Sequence, residues 1–275
     1  MKSLSILTDV TRCIGCEECV AACRATNGTG EDAPYRWQAD PAELSSTRWT
    51  TIRRTDEGRH VRIHCRHCLD PGCAAACPVG ALKRTDTGAV AYDPTICMGC
   101  RYCMVACPFR MTRYEWGSAI PRVRKCILCY ERIVAGELRE PACTAACPAQ
   151  ATVFGERETL LEEAHRRIGE RPGAYLDHVW GEHEVGGTSV LYISDVDISA
   201  AGWPAQLTDE RLPELARQVL RTVPGTFVRV ATAMYGLHWF TRRRQLVAEA
   251  IRAEAEGRSA AEPAPGGPHQ EGDLT

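Results

Sequence analysis

Sixteen cysteines fall into four quartets of nearly the same internal spacing, and none is left over. The first quartet is Cys13, Cys16, Cys19 and Cys23; the second is Cys65, Cys68, Cys73 and Cys77. The third is Cys97, Cys100, Cys103 and Cys107, and the fourth is Cys126, Cys129, Cys143 and Cys147. Three thiolates at a Cys-x2-Cys-x2-Cys spacing fit on one tight loop, where successive backbone amides turn inward and stabilise the negative charge of an iron–sulfur cluster. The cysteine that follows starts a helical turn facing the other way, so in two-cluster proteins it ligates the partner cluster. Quartets therefore work in pairs, and this chain is expected to hold four [4Fe-4S] clusters. Pro78, Pro108 and Pro148 follow the last cysteine of three quartets. Proline fixes φ and cannot donate a hydrogen bond, which turns the chain away toward the next strand. The first quartet has Arg24 at that place.

Two other chemistries compete for cysteines. A disulfide framework suits small secreted domains, whereas this chain is long and its triads stand too close together to pair among themselves. Structural zinc takes paired Cys-x2-Cys knuckles and leaves a third cysteine such as Cys19 or Cys103 unexplained. With every cysteine assigned to iron, no nucleophile with a matched base remains, so no catalytic site is expected. His64 and His67 flank Cys65 and Cys68. All ligand positions are already filled by thiols, so both histidines read as supporting or surface residues. Arg66, Arg101, Arg110 and Lys125 lie beside ligands and are candidates for raising cluster potentials, with a solvated or partner-facing charge as the alternative.

The elements that must position these residues are short. Cys-Pro-Val-Gly-Ala-Leu after the second quartet answers Cys-Pro-Ala-Gln-Ala-Thr-Val after the fourth, each leading into a strand. Asp86-Thr87-Gly88 then returns the chain through Val90-Ala91-Tyr92 as a hairpin. The polar insert from Asn27 to His60, with Trp37 and Trp49, is expected to form hairpins or partner contacts. Glu158 to Arg167 has helical spacing, with Leu160, Leu161, Ala164 and Ile168 on one side and acids before bases. Gly186-Gly187 feeds a β-branched strand; no lysine or following helix supports a phosphate loop there.

The fold class that follows is α+β: tandem bacterial-type ferredoxin domains in two lobes, with a C-terminal helix as a candidate membrane span. Residues 1–157 are expected to hold the four-cluster region and 158–205 the helix and strand packed on it. Residues 206–255 form a helical segment, and 256–275, rich in Pro, Gly, Ala and Glu, a disordered tail. Thr222 to Phe240 is about long enough to cross a bilayer, and aromatic residues precede Arg242, Arg243 and Arg244. Arg229 and His238 count against a span, at ~2 to 3 kcal/mol each near the bilayer centre unless a neighbour accommodates them. Met1 to Asp9 has neither a long apolar stretch nor a twin arginine, so clusters are expected to be inserted in the cytoplasm, with any export riding on a partner's signal. A net charge of −2 gives no support to a nucleic-acid partner.

The quartets, in this order, resemble the iron–sulfur subunits of molybdopterin oxidoreductase complexes: formate dehydrogenase beta, dimethyl sulfoxide reductase B and the related subunit of membrane-bound nickel–iron hydrogenases. The resemblance runs from about Leu4 to Trp203. Within it, Val185 to Tyr192, preceded by Tyr175 to Trp180, is similar to the formate dehydrogenase and hydrogenase branch, which often ends in one transmembrane helix. The resemblance implies that the first quartet pairs with the fourth and the second with the third. Cys13, Cys16 and Cys19 would then take Cys147, and Cys126, Cys129 and Cys143 would take Cys23. Cys65, Cys68 and Cys73 would take Cys107, and Cys97, Cys100 and Cys103 would take Cys77. Some relatives lack the second cysteine of the third quartet and hold a three-iron cluster; Cys100 is present here, which implies four cubanes.

The resemblance further implies an electron-transfer subunit in a membrane-associated complex. Electrons would enter from a catalytic molybdopterin or nickel–iron hydrogenase subunit and leave to an integral membrane quinone-reactive or cytochrome subunit. The complex could face the cytoplasm, or the periplasm if exported with its partner. A soluble polyferredoxin acting as a mobile carrier is the alternative, although it would need neither the insert nor the C-terminal helix.

Overall fold

The computed structural model describes residues 3–30, 43–118, 120–199 and 201–260. Trp37 of the insert lies outside the described residues. The chain divides into two compact units, Met1–Ala216 and Arg217–Thr275.

The first unit is built round a three-stranded sheet. Its central strand β1 (Leu4–Asp9) is buried almost throughout, which is why its apolar residues need no polar alternation. The sequence continues through α1 (Glu18–Asn27), the hairpin β2 (Thr50–Arg54) and β3 (His60–His64), and α2 (Gly72–Ala75). It goes on through β4 (Leu82–Arg84), β5 (Val90–Tyr92), α3 (Tyr102–Val105), β6 (Arg113–Tyr114), β7 (Val123–Arg124), α4 (Tyr130–Val134) and α5 (Ala142–Ala145). Strand β8 (Thr152–Glu156) then runs antiparallel to β1, with Ile6 opposite Phe154. Helix α6 (Arg157–Glu170) leads to β9 (Val190–Ile193), which runs parallel to β1 on its other edge, with Ile6 opposite Val190.

Helix α6 puts Leu160, Leu161 and Ala164 on one face of this sheet, against Leu7, Leu191 and Ile193, and Ile168 packs alongside. The stripe is the one its helical spacing marks out. Ile6, Ala89 and Leu128 fill the opposite face, with Phe154 beside them. The hairpin at Asp86-Thr87-Gly88 forms as its turn residues indicate: Gly88 has φ 93°, and the Thr85 N–H donates to Ala89 O at 2.7 Å.

Gly186 and Gly187 form a turn. Gly187 has φ 92°, and a Cβ there would stand 2.9 Å from Glu182 O. The turn clamps the second quartet, because the Leu69 N–H donates to Gly187 O and the Ser189 N–H to His67 O, each at 2.9 Å.

Helix α7 (Leu212–Ala260) starts in the first unit and makes up the described part of the second. It corrects the expectation of a membrane span at 222–240. Among the described residues, no helix is long and apolar enough to cross a membrane. The segment carries Arg229 and His238 amid threonines, glycines and Pro224, and Arg221 and Arg242 close on it from either end. Its aromatic residues do not offset these polar groups. The helix also runs to Ala260, into the stretch expected to be a tail, and 261–275 lie outside the described residues.

Candidate iron–sulfur centres

Three quartets end in one repeated structure. Helices α2, α3 and α5 are only four residues long and stop just before Cys-Pro, because a residue preceding proline is driven out of the helical region. The chain then folds back on the cysteine. The Gly80 N–H donates to Cys77 O at 3.2 Å, Arg110 to Cys107 O at 3.1 Å, and Gln150 to Cys147 O at 3.2 Å. Each of these donors is left-handed, with φ of 66°, 54° and 50°. The next amide reaches sulfur: Ala81 N–H to Cys77 Sγ at 3.2 Å, Met111 to Cys107 Sγ at 3.3 Å, and Ala151 to Cys147 Sγ at 3.3 Å.

The first quartet lacks the proline, and the consequence is visible. Helix α1 runs on past Cys23 to Asn27, whose side-chain amide donates to Cys23 O at 2.8 Å and approaches Cys23 Sγ at 3.5 Å. A side chain thus takes the place of the backbone donor. Near the second cysteine of each quartet the chain again turns left-handed, at Gly15 and Glu17, His67, Gly99 and Arg101, and Leu128 and Cys129. Such turns point successive N–H groups inward and make a nest for an anion.

All sixteen cysteines are free thiols, and they gather in four sets. Cys13, Cys16, Cys19 and Cys147 line one cavity, together with Ile52 and Arg62. Cys23, Cys126, Cys129 and Cys143 line a second, beside Asn27 and Trp49. Cys65, Cys73 and Cys107 are the thiols whose charge acts on Cys68, and Cys77, Cys97 and Cys100 those that act on Cys103. Among the described residues no such ligands converge to the spacing of a single metal ion. Thiolates round a cube of four irons stand farther apart than those on one zinc.

Burial first, and then neighbouring thiols, hold these protons on. Cys19 and Cys103 are pushed up to about 11, and Cys23 and Cys73 to about 12. Cys77 differs: burial raises it, but the backbone N–H groups of Val79 to Leu82 outweigh burial and lower it. At neutral pH the buried thiols stay protonated until iron displaces the protons, so iron binding must release them. Free thiols, inward amides and enclosed cavities fit [4Fe-4S] clusters.

Comparison with known proteins points to the same cofactor. Two models of a 4Fe-4S dicluster domain match residues 12–81 and 59–157. A protein of Nitratidesulfovibrio vulgaris is 38% identical over 265 residues, covering 92% of this chain and 70% of its own length. The hydrogenase-2 operon protein HybA of Escherichia coli O157:H7 is 35% identical over 70% of each chain. The iron–sulfur subunit of the nitrate-inducible formate dehydrogenase of Escherichia coli K12 is 35% identical over 68% of this chain and 66% of its own. The chain belongs to the iron–sulfur subunit family of formate dehydrogenase and hydrogenase complexes.

Within this family member the four sets form a succession. Cys19 of the first set lies near Cys143 of the second, Cys126 of the second near Cys65 of the third, and Cys73 of the third near Cys103 of the fourth, as their mutual charge effects show. Of the basic residues marked in the sequence, Arg66 and Lys125 are buried. The Arg66 guanidinium lies 4.5 Å from the Tyr192 ring centroid and 4.7 Å from that of Trp203, and it bonds the Tyr192 hydroxyl. Lys125 Nζ donates to Val90 O and to Cys126 O. Arg101 and Arg110 are exposed, and Arg101 stacks on Tyr114 and Trp116.

His64 and His67 are fully buried supports: His67 Nδ1 accepts from the Val90 N–H at 2.9 Å, and His64 Nε2 pairs with Arg62 Nη2 at 2.8 Å. Burial pushes both well below the usual histidine range, so both are neutral. Arg62 is the residue that sequence reasoning missed. The alternation His-Val-Arg-Ile-His in β3 is the signal that could have found it.

Proposed function

We propose that this chain relays electrons through four [4Fe-4S] clusters between a catalytic subunit of molybdopterin or nickel–iron type and an integral membrane subunit that handles quinone or carries a cytochrome. One observation carries this reading: four sets of free thiols stand in succession through a single folded unit. Cys13, Cys16, Cys19 and Cys147 hold the first cluster, and Cys23, Cys126, Cys129 and Cys143 the second. Cys65, Cys68, Cys73 and Cys107 hold the third, and Cys77, Cys97, Cys100 and Cys103 the fourth. When bound, the clusters supply one-electron redox centres whose potentials depend on hydrogen bonds to sulfur, local charge and exposure.

The protein's own part is to fix those conditions. Inward amides at Cys77, Cys107 and Cys147 donate to sulfur, apolar walls exclude water, and buried cations offset anionic charge. The chain has no catalytic site of its own in this reading; substrate chemistry belongs to the partner. Membrane association comes through the membrane partner.

The test is electron flow through the assembled complex, purified anaerobically. The expected result is that the complex reduces a quinone analogue with the catalytic subunit's donor. Replacing Cys65 with alanine should abolish quinone reduction while the catalytic subunit still reduces a soluble dye. Undiminished quinone reduction by that variant would contradict the relay.

A further inference from the structure

Arg62 sits in the middle of β3 between Val61 and Ile63, and both of those neighbours belong to the main apolar core. Successive residues of a strand face opposite ways, so Arg62 faces away from that core. Its antiparallel partner is Ile52. Directly opposed residues share a face, and Ile52 packs with Cys19, Val20 and Cys143. Arg62 therefore faces the seam between the first two thiol sets, and it lines the cavity shared with Cys13, Cys16, Cys19 and Cys147.

Arg62 is 2% exposed. Nη2 pairs with His64 Nε2 at 2.8 Å, while Nε and Nη1 donate to no protein acceptor. The Tyr192 hydroxyl gives its proton to the Arg62 carbonyl at 2.7 Å. The groups that most favour the Arg62 charge are Cys143, Cys19, Tyr192 and Cys126, and none of these is a carboxylate. A buried cation without a carboxylate and with open donors needs an anion close by. A cube held by four thiolates is such an anion, because the thiolates outweigh its positive core, and its sulfurs accept hydrogen bonds.

We propose that Arg62 is a fixed counter-charge shared by the first two cluster sites, a positioning residue for charge that stabilises their reduced states and makes both potentials more positive. The proposal rests on the four-cluster reading above. An added electron makes a cluster more negative, so a cation held beside it favours the reduced form. Arg62 keeps its charge at all accessible pH. Its influence is local: the causes acting on Cys103 of the fourth set are burial, neighbouring thiols and its own amide, without Arg62.

The experiment is a redox titration of the anaerobically purified complex, followed by electron paramagnetic resonance cluster by cluster, in wild type, Arg62→Gln and Arg62→Lys. The glutamine variant keeps donors and loses charge; two of the four midpoints should move negative and the other two stay in place. The lysine variant should move the same two by less. Unchanged midpoints, a uniform shift of all four, or an equal shift in both variants would overturn the proposal. Failure of the four-cluster reading would show separately, as fewer than four titrating clusters in the wild type. A second measurement needs no substitution. In protein carrying arginine labelled with nitrogen-15 in the guanidinium, pulsed resonance of the first two reduced clusters should detect nitrogen-15 coupling, and its absence would also overturn the proposal.

Discussion

The two halves of the thiol framework are built differently. The half with the first and second sets rests on the β8-β1-β9 sheet and a ten-residue helix, α1, and Arg62 faces into it. In the half with the third and fourth sets, Cys65, Cys68 and Cys107 pack with the main apolar core, and the outer part is walled by the hairpins β4–β5 and β6–β7, whose strands are two or three residues long. The core of that outer part is small, with Cys73 and Cys103 packed among Leu82, Val90, Tyr114 and Val123. At its outer set, Cys77 is stabilised by backbone amides. The same cysteine spacing thus works on apolar cores shared with the sheet and the β2–β3 hairpin for the inner sets, and on a minimal core at the outer hairpins. The outer hairpins need their inorganic centre more, because they have less apolar burial of their own.

The largest effect should follow from removing iron. Anaerobic chelation followed by hydrogen exchange should expose β4 to β7 first, with the amides of β1 and β9 protected longest, because ligand bonds replace core in the hairpin half. Equal or reversed loss of protection would break the comparison. Next in size are single ligand losses. Cys100→Ala should alter one cluster signal and leave three, since Cys100 belongs to the outermost set. Cys126→Ala, beside thiols of two sets, should disturb a neighbouring signal as well, and a spectrum with only one altered cluster would contradict the succession.

A smaller effect is expected at the clamp. Gly187→Ala forces a side chain into a left-handed position 2.9 Å from a backbone oxygen, at a cost of about 1 to 3 kcal/mol. Tm should fall, and the third cluster should be lost soonest on exposure to oxygen; an unchanged Tm would count against the clamp. The smallest effect belongs to Asn27→Ala. It removes a hydrogen bond worth about 1 kcal/mol and should move only the cluster that includes Cys23, toward more negative potential, as read by redox titration.

Much of the candidate site was legible because cluster ligation needs cysteines at fixed sequence intervals. The hairpin at Gly88 and the α6 stripe were legible for a similar reason, since turn chemistry and helical period act within a few residues. The sheet was not. Strand β1 pairs with β8 and β9, which lie far along the chain, and no local pattern states that register. Arg62 was missed for the same cause, because its meaning depends on standing opposite Ile52 across a hairpin. The span at 222–240 failed for a different reason: length and flanking aromatics suggested it, but Arg229, His238 and the small polar residues between them leave too little apolar surface. The proline missing after Cys23 was visible from the start. Its replacement by the Asn27 amide required the helix to be seen continuing.

Stoichiometry tests the central claim most directly. The complex, purified anaerobically and assayed for iron and acid-labile sulfide, should yield about sixteen of each per copy of this chain beyond what the partner subunits hold. About half that number, or zinc in place of iron, would contradict the account.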